Sequence, residues 1–92
     1  MTNHPNRSAR RAYVKGVMIR ETVKGALIRC KMERGDEPVS DEVWFPKSEI
    51  IDVADGNAEL PEAVRRVVEP CRIYEMPEWL ARDKRVCYGT KL

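Results

Sequence analysis

The stretch Val17–Glu33, VMIRETVKGALIRCKME, decides the fold. From Ala26 it alternates strictly, with Ala26, Ile28, Cys30 and Met32 on one side and Leu27, Arg29, Lys31 and Glu33 on the other, the two-residue period of a half-buried strand. Upstream, Tyr13 to Glu21 is also strand-like, and Thr22-Val23-Lys24-Gly25 between them is a short glycine-containing turn. The two strands therefore form a hairpin. Pairing Glu21 with Ala26 sets Ile19 against Ile28 and Val17 against Cys30, apolar against apolar. The opposite side then carries Arg20, Arg29 and Lys31, with Met18 and Leu27 between them. A slip of one residue would bury Arg29 and Lys31, so burial itself specifies this register.

Working outward, Arg34-Gly35-Asp36-Glu37-Pro38 reads as a loop and Glu42-Val43-Trp44-Phe45 as a third strand, stopped by Pro46, which cannot donate to a sheet ladder. Lys47-Ser48-Glu49 suits one helical turn before a strand at Ile50-Ile51-Asp52-Val53, and Asp55-Gly56-Asn57 signals a turn. Pro61 opens a brief helical stretch with Leu60, Val64, Val67 and Val68 at helical spacing, and Pro70 closes it. Cys71 to Met76 is a further strand. Pro77 then suits the first position of a terminal helix, whose dipole Glu78 complements. Trp44, Phe45, Trp79 and Leu80 are expected in the core, although Trp44 becomes an exposed contact if its strand is two-sided, because Val43 and Phe45 point opposite to it. The fold class is mainly β with short helices (α+β), a small curled sheet or barrel of SH3-like or OB-like kind. An open sheet with one helix packed across it is the alternative. Residues 1–11, with Arg7, Arg10 and Arg11 and no acid, read as a flexible basic arm, and residues 12–92 as one small domain.

The chain has 92 residues, with 42% apolar and 35% charged. This allows one thin core burying about 60–65% of the unfolded surface. No apolar run approaches the roughly 18 residues of a membrane helix, and MTNHPNRSARR lacks the apolar segment of a signal peptide. A cytoplasmic protein is expected. Cys30, Cys71 and Cys87 are odd in number and widely spaced, which argues against a disulfide framework, and no CxxC or CxxH pair suggests zinc. Cys30 and Cys71 read as small core residues on strands and Cys87 as a half-exposed thiol.

No phosphate-binding loop, dinucleotide fingerprint, zinc-protease motif or nucleophile elbow occurs. Placing Gly56 at the sixth position of a calcium loop puts Ile51 and Val53 where oxygen ligands belong. The one histidine, His4, sits in the polar leader, too loosely held to activate Ser40 or Ser48. Asp41 and Glu42 are strand neighbours and point to opposite faces. These observations favour a non-catalytic protein without cofactor, metal or small-molecule substrate.

Two segments, EVWFPKSEI (Glu42 to Ile50) and YEMPEWLARDK (Tyr74 to Lys84), together with the basic hairpin, resemble small phage- and prophage-encoded proteins that carry "VWxPKS" and finish with "PEWLAxxK". The resemblance implies a compact β-barrel-like domain and a mobile-element setting, and it brings no catalytic residues. The basic arm and the insertion AELPEAVRRVVEP depart from the pattern.

Charge is segregated along the chain. Residues 1–34 hold nine Lys/Arg and two acids (+7), residues 35–62 one lysine and nine acids (−8), and residues 63–92 seven basic and four acidic groups (+3), which gives the net +2. Two binding functions follow. In the first, Arg7, Arg10, Arg11, Arg20, Arg29 and Lys31 contact nucleic acid phosphates, with Tyr13 and Tyr74 as the available stacking surfaces. In the second, an acidic surface with Asp36, Glu37, Asp41, Glu42 and Trp44 binds a host nucleic-acid-processing protein as an anti-CRISPR-like inhibitor, imitating a nucleic-acid backbone.

Overall fold

The computed structural model describes residues 10–92. Its elements are β1 (Arg11–Glu21), β2 (Gly25–Arg34), β3 (Glu37–Pro46), a single 3-10 turn at Lys47–Glu49, β4 (Ile51–Asp55), α1 (Glu62–Arg65), β5 (Arg72–Pro77) and α2 (Glu78–Asp83). The strands form one antiparallel sheet in the order β3-β2-β1-β5-β4, a small curled α+β fold in which β3 and β4 are the edges. Arg11, assigned by its sequence to the arm, opens β1 opposite Pro77 instead.

The hairpins follow from local chemistry. The Thr22 N–H donates to the Gly25 carbonyl at 2.8 Å, and the Gly25 N–H donates to Thr22 Oγ1 at 2.9 Å. Between β2 and β3, Gly35 takes φ +61°, a conformation that glycine adopts without steric cost. The β2–β3 ladder then runs unbroken from Gly25↔Pro46 to Arg34↔Glu37.

The β1–β2 register agrees with expectation at Glu21↔Ala26 and departs from it at a bulge between Met18 and Arg20. Met18 faces Ile28 and Gly16 faces Cys30, in place of the expected Ile19/Ile28 and Val17/Cys30 pairs. The cause is close approach. A Cβ on residue 16 would lie 2.4 Å from Ile28 Cγ2 and 2.9 Å from the Arg29 carbonyl oxygen, so only glycine fits on the inner face there. The extra residue lets Gly16 turn inward, sends Val17 to the outer face opposite Arg29, and leaves Ile19 exposed.

Beyond Gly16 the two strands part, and the chain after α2 occupies the gap. Val86 bridges Met32 and Gly89 bridges Tyr13. The Cys87 N–H donates to the Lys31 carbonyl at 2.8 Å, while Tyr13 and Gly89 exchange two hydrogen bonds of 2.9 Å. The inner face contributes Val14, Ile28, Phe45, Tyr74 and Met76 to the core, which Leu80 and Ala81 of α2 and then Val86 close over.

Both tryptophans depart from the core expectation, each being 44% exposed. In β3, Val43 and Phe45 face inward and alternation turns Trp44 out. In α2, six residues present one buried face, taken by Leu80 and Ala81, and Trp79 lies off it. Tyr74 is a core residue, 3% exposed, so it offers no stacking surface. Cys30 is buried, whereas Cys71 lies just before β5, half-buried against Gly56, and Cys87 is half-buried; all three are free thiols. The apolar spacing around α1 docks nothing, since that helix has four residues and none is buried. Among the described residues, no helix is long and apolar enough to cross a membrane.

Candidate functional site

Alternation assigns each strand residue a face, and the outer face is the one turned away from α2. The ladder sets Arg20 beside Leu27 and Trp44, then Val17 beside Arg29 and Glu42. Farther along, Lys15 lies opposite Ile73 on β5, and Lys31 flanks the place where β1 and β2 part. Here the outer face deepens into a cleft of about 630 Å³. Tyr13, Lys15, Lys31 and Ile73 come from the strands, Ala54, Asp55, Gly56, Ala58 and Glu59 from one wall, and the C-terminal segment with Cys87, Tyr88 and Lys91 from the other.

The lysines of the cleft are available. Lys15, Lys31 and Lys91 make no ion pair among the described residues. Asp55 and Glu59 also line the cleft, and Asp55 Oδ1 accepts the Asn57 N–H at 2.8 Å. Burial pushes the Cys71 thiol pKa up, and the nearby Lys15 ammonium offsets part of that rise. The Tyr88 hydroxyl donates to Glu78 Oε2 at 2.9 Å, and this bond raises its pKa above that of an ordinary phenol. The Tyr88 hydroxyl is thereby tied to the first residue of α2.

Of the six cations singled out in the sequence, the five described ones do not converge. Arg7 lies outside the described residues. Arg10 precedes β1, and its carbonyl accepts the Glu78 N–H at 2.8 Å. Arg11 pairs with Glu75 at 2.8 Å, and Arg20 stands near the hairpin turn, opposite Leu27. Arg29 is neutralised: its Nη1 reaches both oxygens of Glu69, at 2.9 and 3.0 Å. The Glu69 backbone is held in turn by Asn57, whose side-chain amide donates to the Glu69 carbonyl at 2.9 Å. Of the five that are described, Lys31 alone lines the cleft. Lys15, Lys91 and Tyr88 were missed because they are scattered along the chain, whereas Tyr13, expected as a stacking surface, does line the cleft.

The acidic set is dispersed as well. Asp36 and Glu37 are at the exposed tip of the β2–β3 hairpin. Asp41 opposes Cys30, bonds Arg34 at 2.8 Å and accepts the Glu42 N–H at 2.8 Å. Glu42 and Trp44 point to the other face. Among the described residues, no group of three or more His, Cys, Asp or Glu is placed to hold a metal ion. Compared with protein-family models, curated proteins and solved structures, the chain matches none.

Proposed function

We propose that this protein is a non-catalytic binding module that contacts single-stranded nucleic acid through the outer-face cleft. Lys15, Lys31 and Lys91 would meet phosphates, and Tyr13 would offer its ring to a base. One observation carries the reading: three lysines without ion pairs and the half-buried Tyr13 line a single cleft on a curled sheet. The acidic alternative lacks such convergence, because Asp41 is bonded to Arg34 on the face opposite Glu42 and Trp44. The resemblance of EVWFPKSEI and YEMPEWLARDK to phage-encoded proteins supplies the setting that goes with this function, the cytoplasm of an infected cell.

Fluorescence anisotropy with labelled oligothymidylate tests the proposal. Three lysine–phosphate contacts give a log–log salt slope of about −2, so affinity falls roughly twentyfold between 50 and 200 mM salt. The double variant Lys15→Ala/Lys31→Ala lowers the slope by roughly 1.4. Binding that is absent, or that survives this double substitution with its slope intact, would refute the proposal.

A further inference from the structure

Tyr88 lines a second cavity besides the cleft. This one, of about 390 Å³, is bounded by Glu33, Arg82, Arg85, Val86 and Tyr88. Its two arginines follow each other around the end of α2. Neither makes an ion pair among the described residues, although Glu33 stands at the same cavity and Glu78 is taken by the Tyr88 hydroxyl.

The backbone at Arg85 is the second observation. Arg85 has φ +60° and is the one non-glycine residue with positive φ among those described. It occupies the left-handed position that ends the helix, where its N–H donates to the Arg82 carbonyl and the Val86 N–H donates to the Ala81 carbonyl, both at 3.1 Å. Glycine makes this helix ending without the steric cost that a side chain brings. An arginine here complements the negative end of the helix dipole, but it carries a backbone cost that glycine would avoid. Residues held in such conformations cluster at binding sites, and this one lines a cavity that a second arginine, Arg82, also lines.

We propose that Arg82 and Arg85 bind one phosphate group, the terminal phosphate of a strand lying in the outer cleft. Two guanidinium groups offer forked N–H donors that match phosphate oxygens. Tyr88 lines both cavities, which places the phosphate site next to the cleft. The strand rests on the reading of the cleft given above, whereas the phosphate site does not.

The test compares short oligothymidylates carrying a 5′-phosphate, a 3′-phosphate or neither, and in parallel measures thermal melting with inorganic phosphate. One terminal phosphate should tighten binding about tenfold, as expected for a charge-assisted contact. Arg85→Gly should abolish that gain while raising the melting temperature, which separates lost binding from lost folding. Arg82→Ala should abolish it too, and Arg82→Lys should keep part of it. If strands bind equally with and without terminal phosphate, or if the gain survives both Arg85→Gly and Arg82→Ala, the phosphate site is refuted and the cleft stands. If no strand binds, but inorganic phosphate raises the melting temperature of the wild type and not of Arg85→Gly, the site stands and the cleft reading falls.

Discussion

Substituting Gly16 with alanine tests the packing that sets the register of the first hairpin. The added methyl would sit 2.4 Å from Ile28 Cγ2, 2.9 Å from the Arg29 carbonyl oxygen and 3.4 Å from Cys30 Cβ. None of these neighbours can yield easily. Ile28 is fully buried, and the Arg29 carbonyl belongs to the strand pair. Overpacking of this kind costs about 1–3 kcal/mol, offset by about 0.4–1 kcal/mol because alanine restricts the unfolded chain. With a backbone atom among the contacts, the expected loss lies near the upper end, about 2 kcal/mol net. For a domain of this length the melting temperature should fall by roughly 8–16 °C. Urea and thermal denaturation followed by circular dichroism give the value. In an Ile28→Ala background the Cγ2 contact is gone and the carbonyl is the one contact left under 3 Å, so Gly16→Ala should cost about 1 kcal/mol less there. A neutral Gly16→Ala, or an equal cost in both backgrounds, would refute close approach as the cause of the bulge.

Burial pushes the Cys30 thiol from 9.0 up to about 11, with Cys87 and Asp41 adding to the rise. The unfolded chain therefore ionises first. The stability this thiol confers is full below pH 9 and is lost as pH rises toward 11, and urea titrations should show a steeper alkaline loss for the wild type than for Cys30→Ala. Acrylamide should quench both Trp44 and Trp79, and phenylalanine at either position should cost less than about 1 kcal/mol, against about 3–5 kcal/mol for Phe45→Ala. A tryptophan shielded from quencher would contradict the exposed placement. Glu69→Gln releases Arg29 from an exposed pair and should change stability by less than about 1 kcal/mol. It should also strengthen strand binding and steepen the salt slope by up to about 0.7, and an unchanged slope would exclude Arg29 from the contact surface.

The order of elements was legible because local rules mark it. Pro46, Pro61 and Pro77 punctuate the chain at element ends, whereas Pro70 lies beyond the short α1, which already stops at Arg65; alternation from Ala26 to Glu33 matches the burial of β2. Alternation also contained the exposure of Trp44, since Val43 and Phe45 claim the inner face. Trp79 was not legible, because a six-residue helix has too few turns to show which side faces the core. The fate of Arg29 was hidden by distance, as Glu69 is forty residues away in sequence. Lys15, Lys31 and Lys91 share no window of sequence either. Only the parting of β1 from β2, and the entry of the C-terminal segment between them, brings the three together.

One local event links the fold to this surface. In an unbulged hairpin with Val17 turned inward, the two-residue period would also turn Tyr13 and Lys15 inward and send Ala12 and Val14 to the solvent face. An unpaired lysine in this core would carry a desolvation cost that nothing nearby offsets. The extra residue between Met18 and Arg20 reverses every side chain that precedes it in β1. Ala12 and Val14 become fully buried core, and Tyr13 and Lys15 line the cleft with Lys31. The close approach at Gly16, a requirement of packing, thus also determines which cations face solvent together. A polar surface can therefore arise as a consequence of how a core is filled, at positions where linear charge patterning points elsewhere.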